Sequence, residues 1–152
     1  MKKSLLKRKT ALKRKTPLNK KGKNTEEKTR KKCVEIAKKL VRIIQDFTCQ
    51  YCGKKEPNVK THGSHIYSEG IYKSMSADLD NILCLCYTHH LGGYMQVKEP
   101  SWHKNPIEMV NWFEEKYPER TFELKTRATK PFKVNWDLRL IALKEMMKKY
   151  EG

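Results

Sequence analysis

Apolar positions recur at helical spacing early in the chain: Cys33, Ile36, Ala37, Leu40, Ile43, Ile44 and Phe47 form one stripe, with lysine and arginine on the other face. Asn24 and Glu27 make a capping-box pattern, so the sequence predicts an amphipathic helix over 25–47, about six turns long. Cys33 lies on the apolar stripe and reads as a small core residue. The period then changes. Pro57-Asn58 marks a turn, residues 59–61 and 65–67 read as the short strands of a hairpin, and 68–76 is a polar loop. Residues 79–85 are apolar apart from the polar Asp80 and Asn81, a short helix is expected from about Cys86, and Gly92-Gly93 ends it.

Asn105-Pro106-Ile107-Glu108 is a strong helix start, followed by Met109, Val110, Trp112, Phe113 and Tyr117 on one face, and Pro118 stops the pattern. The helix is placed at 105–117. Trp102, Trp112 and Phe113 read as core residues rather than as platforms for stacking bases. Residues 121–130 are basic and poorly patterned; a last helix, 136–150, carries Leu140, Leu143 and Met147 on one side.

Composition changes this picture in two ways. With 152 residues, 38% hydrophobic and 34% charged, the chain has room for one modest core, which a metal staple would help to hold. The net charge of +17 is uneven: residues 1–25 hold eleven Lys or Arg and no acid, leaving +6 for the rest. Residues 1–23, with Lys-Arg-Lys-Thr at 7–10 and again at 13–16, have no packing pattern and read as a disordered arm. Lys7, Arg8, Lys9, Lys13, Arg14 and Lys15 are its candidate phosphate contacts, and nucleic acid is the natural polyanionic partner. The bland alternative is a solubilising tail.

Leu5-Leu6 is too short for a signal-peptide core, and no run approaches the length of a membrane span. Five cysteines without such signals suit a reducing compartment, where metal binding is favoured over disulfides. Cys49-x-x-Cys52 and Cys86-x-x-His89 form two halves of a closed tetrahedral zinc site. Cys84 could replace Cys86, although the C-x-x-H spacing favours Cys86, with Cys84 in the core.

Gly63-Ser64-His65-Ile66, then Asn81, then Cys86-x-x-His89-His90 resemble the HNH nucleases, a branch of the His-Me finger or ββα-metal superfamily. Within them the match is to the phage NinG/Rap-type recombination nucleases. A C-x-x-C knuckle precedes the histidine, and Asn81 is followed five and eight residues on by Cys86 and His89, with His90 next. The resemblance covers about residues 47–93.

It implies an α+β fold: a zinc-stapled ββα-metal finger (48–93) with flanking N- and C-terminal helices, in a nuclease domain spanning 24–152 behind the basic arm. It implies phosphodiester hydrolysis of DNA, with branched or recombination intermediates as substrates, in the cytoplasm of a phage-infected bacterial host. His65 becomes the general base, His90 the ligand of a catalytic Mg²⁺ or Mn²⁺, and Asn81 the residue that holds the loop and orients the His65 ring. Ser64 departs from the pattern, which commonly has Asp there as a second metal ligand; a hydroxyl is a weak ligand for a hard cation. His62 and His103 are further candidates to hold that ion. A second reading is a non-catalytic zinc module that binds nucleic acid through its arm and basic helix. A structural ribonucleoprotein component would account for the charge but not for the histidines.

Overall fold

The computed structural model describes residues 20–92 and 99–151. The candidate phosphate contacts from Lys7 to Lys15 therefore lie outside the described residues. Among those described, the fold is α+β, with five α-helices and one two-stranded antiparallel sheet. The helices are α1 (Lys20–Ile44), α2 (Tyr87–Leu91), α3 (Pro106–Lys116), α4 (Pro118–Thr129) and α5 (Trp136–Glu151); the strands are β1 (Thr61–His65) and β2 (Ile82–Cys86). None of the helices is long and apolar enough to cross a membrane.

Strand β2, Ile-Leu-Cys-Leu-Cys, is buried at every position, as expected of a strand covered on both faces. On one side Ile82 joins Cys33, Val34, Ala37, Leu40 and Val41 of α1 with Trp136, Leu143 and Met147 of α5. On the other, Leu83 and Leu85 pack with Met75, Met109, Phe113 and Leu124, so α3 and α4 supply the second cover. Residues alternating along one strand thus feed two cores.

The hairpin differs from the sequence expectation. Residues 59–61 and 65–67 do not pair with each other; Thr61–His65 is one strand, in register Thr61↔Cys86, Gly63↔Cys84 and His65↔Ile82. The physical reason is Gly63, at mid-strand. A Cβ there would lie 2.8–2.9 Å from Lys38 Cβ and Cα, so the missing side chain lets α1 lie directly on β1.

Three other boundaries also move. Helix α1 begins at Lys20, placing Asn24 inside it, and Glu27 bonds Arg30 at 2.7 and 3.0 Å instead of closing a cap. It ends at Ile44 rather than 47, because Asp46 and Phe47 adopt positive φ, 49° each, and turn the chain into the Cys49 knuckle. Residues 121–129 belong to a helix, α4. Only Leu124 of α4 is buried, while Phe122 is exposed, so the helical period was hidden. Pro118 both stops α3 and occupies the first turn of α4. Tertiary anchors hold α4: Arg127 reaches Asp78 at 2.6 Å and Asp80 at 3.0 Å, and Arg120 donates to the carbonyls of Asp80 and Ile82.

Glu56 fixes the start of β1. Its carboxylate accepts from Thr61 Oγ1 at 2.7 Å, Thr61 N–H at 2.9 Å and Arg42 at 2.8 Å, which together hold its pKa at about 2. A depressed carboxylate contributes stability that is present above its ordinary value and lost as pH falls towards the folded value. Glu56→Gln is therefore expected to remove a component of stability, on the order of 2 kcal/mol, that wild type loses between about pH 4.5 and 2. Denaturant unfolding across that range measures it. Gly63→Ala is expected to cost about 1–3 kcal/mol by overpacking. Lys38→Ala should not rescue it, since the clashing Cα and Cβ remain; a double-mutant cycle by chemical denaturation checks this.

Candidate metal centre and histidine groove

The knuckle after α1 is built from backbone bonds. Thr48 bridges Lys55, Cys49 N–H donates to Lys54 O, and Gly53, at φ 72°, turns the chain so that its N–H returns to Cys49 O. Gln50 N–H donates to Cys84 O, and Cys84 N–H donates to the Gln45 side chain, so the knuckle is stitched to β2. Cys86 ends β2 at the N-cap position of α2, and His89 stands one turn on, on the same face.

Sγ of Cys49, Cys52 and Cys86 and a ring nitrogen of His89 consequently lie within 4.8 Å of one another, a group that could hold a metal ion such as zinc. His89 Nδ1 is the inward nitrogen, 3.1 Å from Cys86 Sγ and 3.7 Å from Cys49 Sγ. Cys84 is buried outside the group, near Thr61, which settles the choice between it and Cys86. Burial pushes the Cys86 thiol up to about 12, so an ion entering there displaces a proton.

The outer shell was not foreseen. Glu99 Oε2 sits 3.2 Å from His89 Nε2, the arrangement that fixes the tautomer of a metal-ligating histidine. Tyr51 lies over the same ring, with centroids 4.3 Å apart. A lone Glu in an irregular segment carries no signal of such a role.

Beside this centre is an open cavity of about 440 Å³, lined by His65, His90, His103, Trp102, Lys38 and Glu69 among others. His65 closes β1 and His90 projects from α2, so the sheet and the short helix bring them to one groove. His65 Nε2–H donates to Ser76 O at 2.7 Å, which leaves Nδ1, 3.9 Å from Glu69 Oε2, as the lone-pair nitrogen. Burial lowers the pKa of His65, opposed by the Ser76 carbonyl and Glu69. Burial, with His103 and His62 nearby, drives His90 down to about 4. Both rings are neutral near pH 7.

Asn81 is fully buried behind the groove. Its Oδ1 accepts from Tyr67 N–H at 2.8 Å, and its Nδ2 donates to Tyr67 O at 3.0 Å and Met75 O at 3.1 Å. It therefore ties the two ends of the 67–75 loop and makes no hydrogen bond to the His65 ring. Ser76 O takes that part. Ser64 is buried and is not among the cavity-lining residues.

Arg30 is the other unforeseen residue. Buried on α1, it donates to Glu69 at 3.1 Å and to Ser76 Oγ at 3.1 Å while pairing Glu27. It thus grips both residues nearest the His65 ring. In the sequence it stands three residues before Cys33 and four before Val34, so helical spacing alone puts this cation on the apolar side of α1, a signal that could have found it.

Comparison with protein-family models, with curated proteins and with solved structures returns no match.

The Cys₃His group is expected to hold about one metal ion per chain. Cys49→Ser should abolish retention and broaden unfolding into a non-cooperative transition, whereas Cys84→Ser should keep the ion. Metal analysis by mass spectrometry, paired with thermal unfolding, checks both.

Proposed function

We propose that this protein is a metal-dependent DNA endonuclease of the HNH type, its ββα finger stapled by zinc at Cys49, Cys52, Cys86 and His89. The observation that carries the reading is the convergence of His65 and His90 on one open groove directly beside a four-donor metal group. Fold and family rest on the motif resemblance together with the β1–β2–α2 arrangement.

In this reading His65 acts as the general base. Its Nε2–H is committed to Ser76 O, so Nδ1 takes the proton of an attacking water. His90 holds a divalent ion, Mg²⁺ or Mn²⁺, which when bound supplies Lewis acidity at the scissile phosphate and the departing 3′ oxygen. Lys38, lining the same groove, adds positive charge where the phosphate would sit. Asn81 acts through the loop, keeping Ser76 and Glu69 on station around His65. The exposed Lys28, Lys31, Lys32 and Lys39 of α1 extend the basic surface towards the N-terminal arm, as a DNA partner requires. Branched or recombination intermediates are the substrate class, and the host cytoplasm the setting, that the phage resemblance suggests.

The second reading, a non-catalytic zinc-containing nucleic-acid-binding module, is favoured by one feature: the position before His65 is a buried serine instead of a carboxylate that could hold a hard cation. Cleavage assays on linear, nicked and four-way-junction DNA with Mg²⁺ or Mn²⁺ separate the two. Wild type should cut, and His65→Ala should lower the rate by about 10²- to 10⁴-fold while DNA affinity and zinc content stay unchanged. A wild type inert on every form, or a His65→Ala protein that cuts equally well, would overturn the assignment.

A further inference from the structure

Among the described residues, Thr121 Oγ1 is one of three buried side-chain polar atoms without a hydrogen-bond partner. Its helix is regular at that point, Thr121 N–H donating to Tyr117 O at 2.9 Å. The hydroxyls of Thr29, Thr126 and Thr129 each return to a carbonyl of their own helix, at 2.9–3.2 Å, and that of Thr121 does not. Thr121 instead lines a small pocket of about 180 Å³ with Ile66, Tyr67, Trp102, Val110 and Phe113. A buried hydroxyl left unpaired beside an apolar space is costly, so the two features together call for an occupant.

We propose that this pocket receives one unstacked pyrimidine base of the DNA strand held in the histidine groove. The identity of the occupant rests on the nuclease reading, which puts a strand next door; the pocket itself does not.

Position is the first support. Ile66 and Trp102 line both cavities, so the pocket and the groove share a wall. Size is the second. An apolar cavity of about 150 Å³ accepts one benzene ring. The pocket therefore takes a single six-membered ring with room for its exocyclic groups, and a fused purine overfills it. Chemistry is the third. Tyr67, Trp102 and Phe113 offer aromatic surface to a base, and the Thr121 hydroxyl, which both donates and accepts, can meet the edge of cytosine or thymine. Glu114 and Lys125, paired at 2.7 Å, form a polar rim.

The walls are set in advance. Trp102 Nε1–H donates to Ile66 O at 3.2 Å, and its ring meets that of Phe113 edge-on with centroids 6.3 Å apart. The backbone of Tyr67 is held by the Asn81 side chain through its N–H at 2.8 Å and its carbonyl at 3.0 Å. A preformed pocket spares the ordering cost of binding. Extruding a base costs least where it is already unpaired, so DNA with an unpaired pyrimidine at a junction, nick or loop is the substrate class such a pocket selects.

The test uses the full-length protein with its Cys₃His group filled with zinc and no other divalent ion, so that binding is read without cutting. The probes are single strands of abasic sites, equal in length and charge, with thymine, cytosine, adenine or no base at the centre. Fluorescence anisotropy measures their affinities. Thymine or cytosine should tighten binding about 5- to 150-fold over the abasic strand, the worth of one stacked base, and adenine should gain little. Val110→Phe, which fills the pocket from an exposed position on α3, should bring the thymine strand down to the affinity of the abasic strand in the same variant. Thr121→Val keeps the shape and, with no bond to lose, the stability; it should cut the pyrimidine gain by about 2- to 10-fold. Equal affinity for all four strands, an adenine gain matching that of thymine, or a pyrimidine gain intact in both variants would overturn the proposal. The two readings fail separately. A pyrimidine gain in a protein that cuts no DNA with Mg²⁺ or Mn²⁺ leaves the pocket standing and sinks the nuclease, whereas cutting without a pyrimidine gain does the reverse.

Discussion

Strand β2 has to be covered on both faces, and most of the molecule follows from that demand. A five-residue strand with no exposed position cannot sit on the rim of a small α+β fold. It needs one helical layer for Ile82 and another for Leu83 and Leu85. Helices α1 and α5 meet the first need and α3 and α4 the second, which is how a chain with modest apolar content still encloses two cores. The ends of the same strand position the candidate site residues. Asn81 immediately precedes it and closes the loop behind His65; Cys86 finishes it and opens α2, which delivers His89 and His90. The hydrophobic constraint and the site geometry are therefore one constraint, expressed at the middle and at the two ends of five residues.

The parts of the site legible in the sequence were those fixed by local spacing. Cys49 with Cys52, and Cys86 with His89, are separated by a turn of knuckle or helix, so their convergence needs little tertiary information. His65 and His90 were legible as candidates through the motif they share with Asn81. What resisted reading depends on contacts across the fold. Arg30 lies 39 residues from Glu69 and 46 from Ser76, so although its helical position sets it on the buried side of α1, its partners cannot be read locally. Glu99 is similarly anonymous until α2 turns the His89 ring towards it. Asn81 ends a short turn before β2, and its side chain spends its hydrogen bonds on Tyr67 and Met75 rather than on the His65 ring, because a buried amide takes the nearest unpaired backbone groups.

For secondary structure the same division holds. Helices with a wide apolar stripe, α1, α3 and α5, were readable, while α4 was not, because a single buried Leu124 leaves no periodic signal. At 59–67 the strand itself, Thr-His-Gly-Ser-His, is polar and its flanks apolar, so local pattern suggests two short pieces where the fold has one strand. Gly63 belongs to the middle of β1 for a reason invisible locally: the backbone of α1 presses against it.

Helix α1 also sets a length. It runs unbroken from Lys20 to Ile44, and Lys38 on it lines the histidine groove. At 1.5 Å per residue the eighteen steps from Lys20 to Lys38 span about 27 Å, and duplex DNA advances about 3.4 Å per base pair. Were the proposed DNA partner to lie along α1, about eight base pairs would separate the start of the helix from the groove. On the nuclease reading proposed above, the helix would then act as a ruler along that DNA.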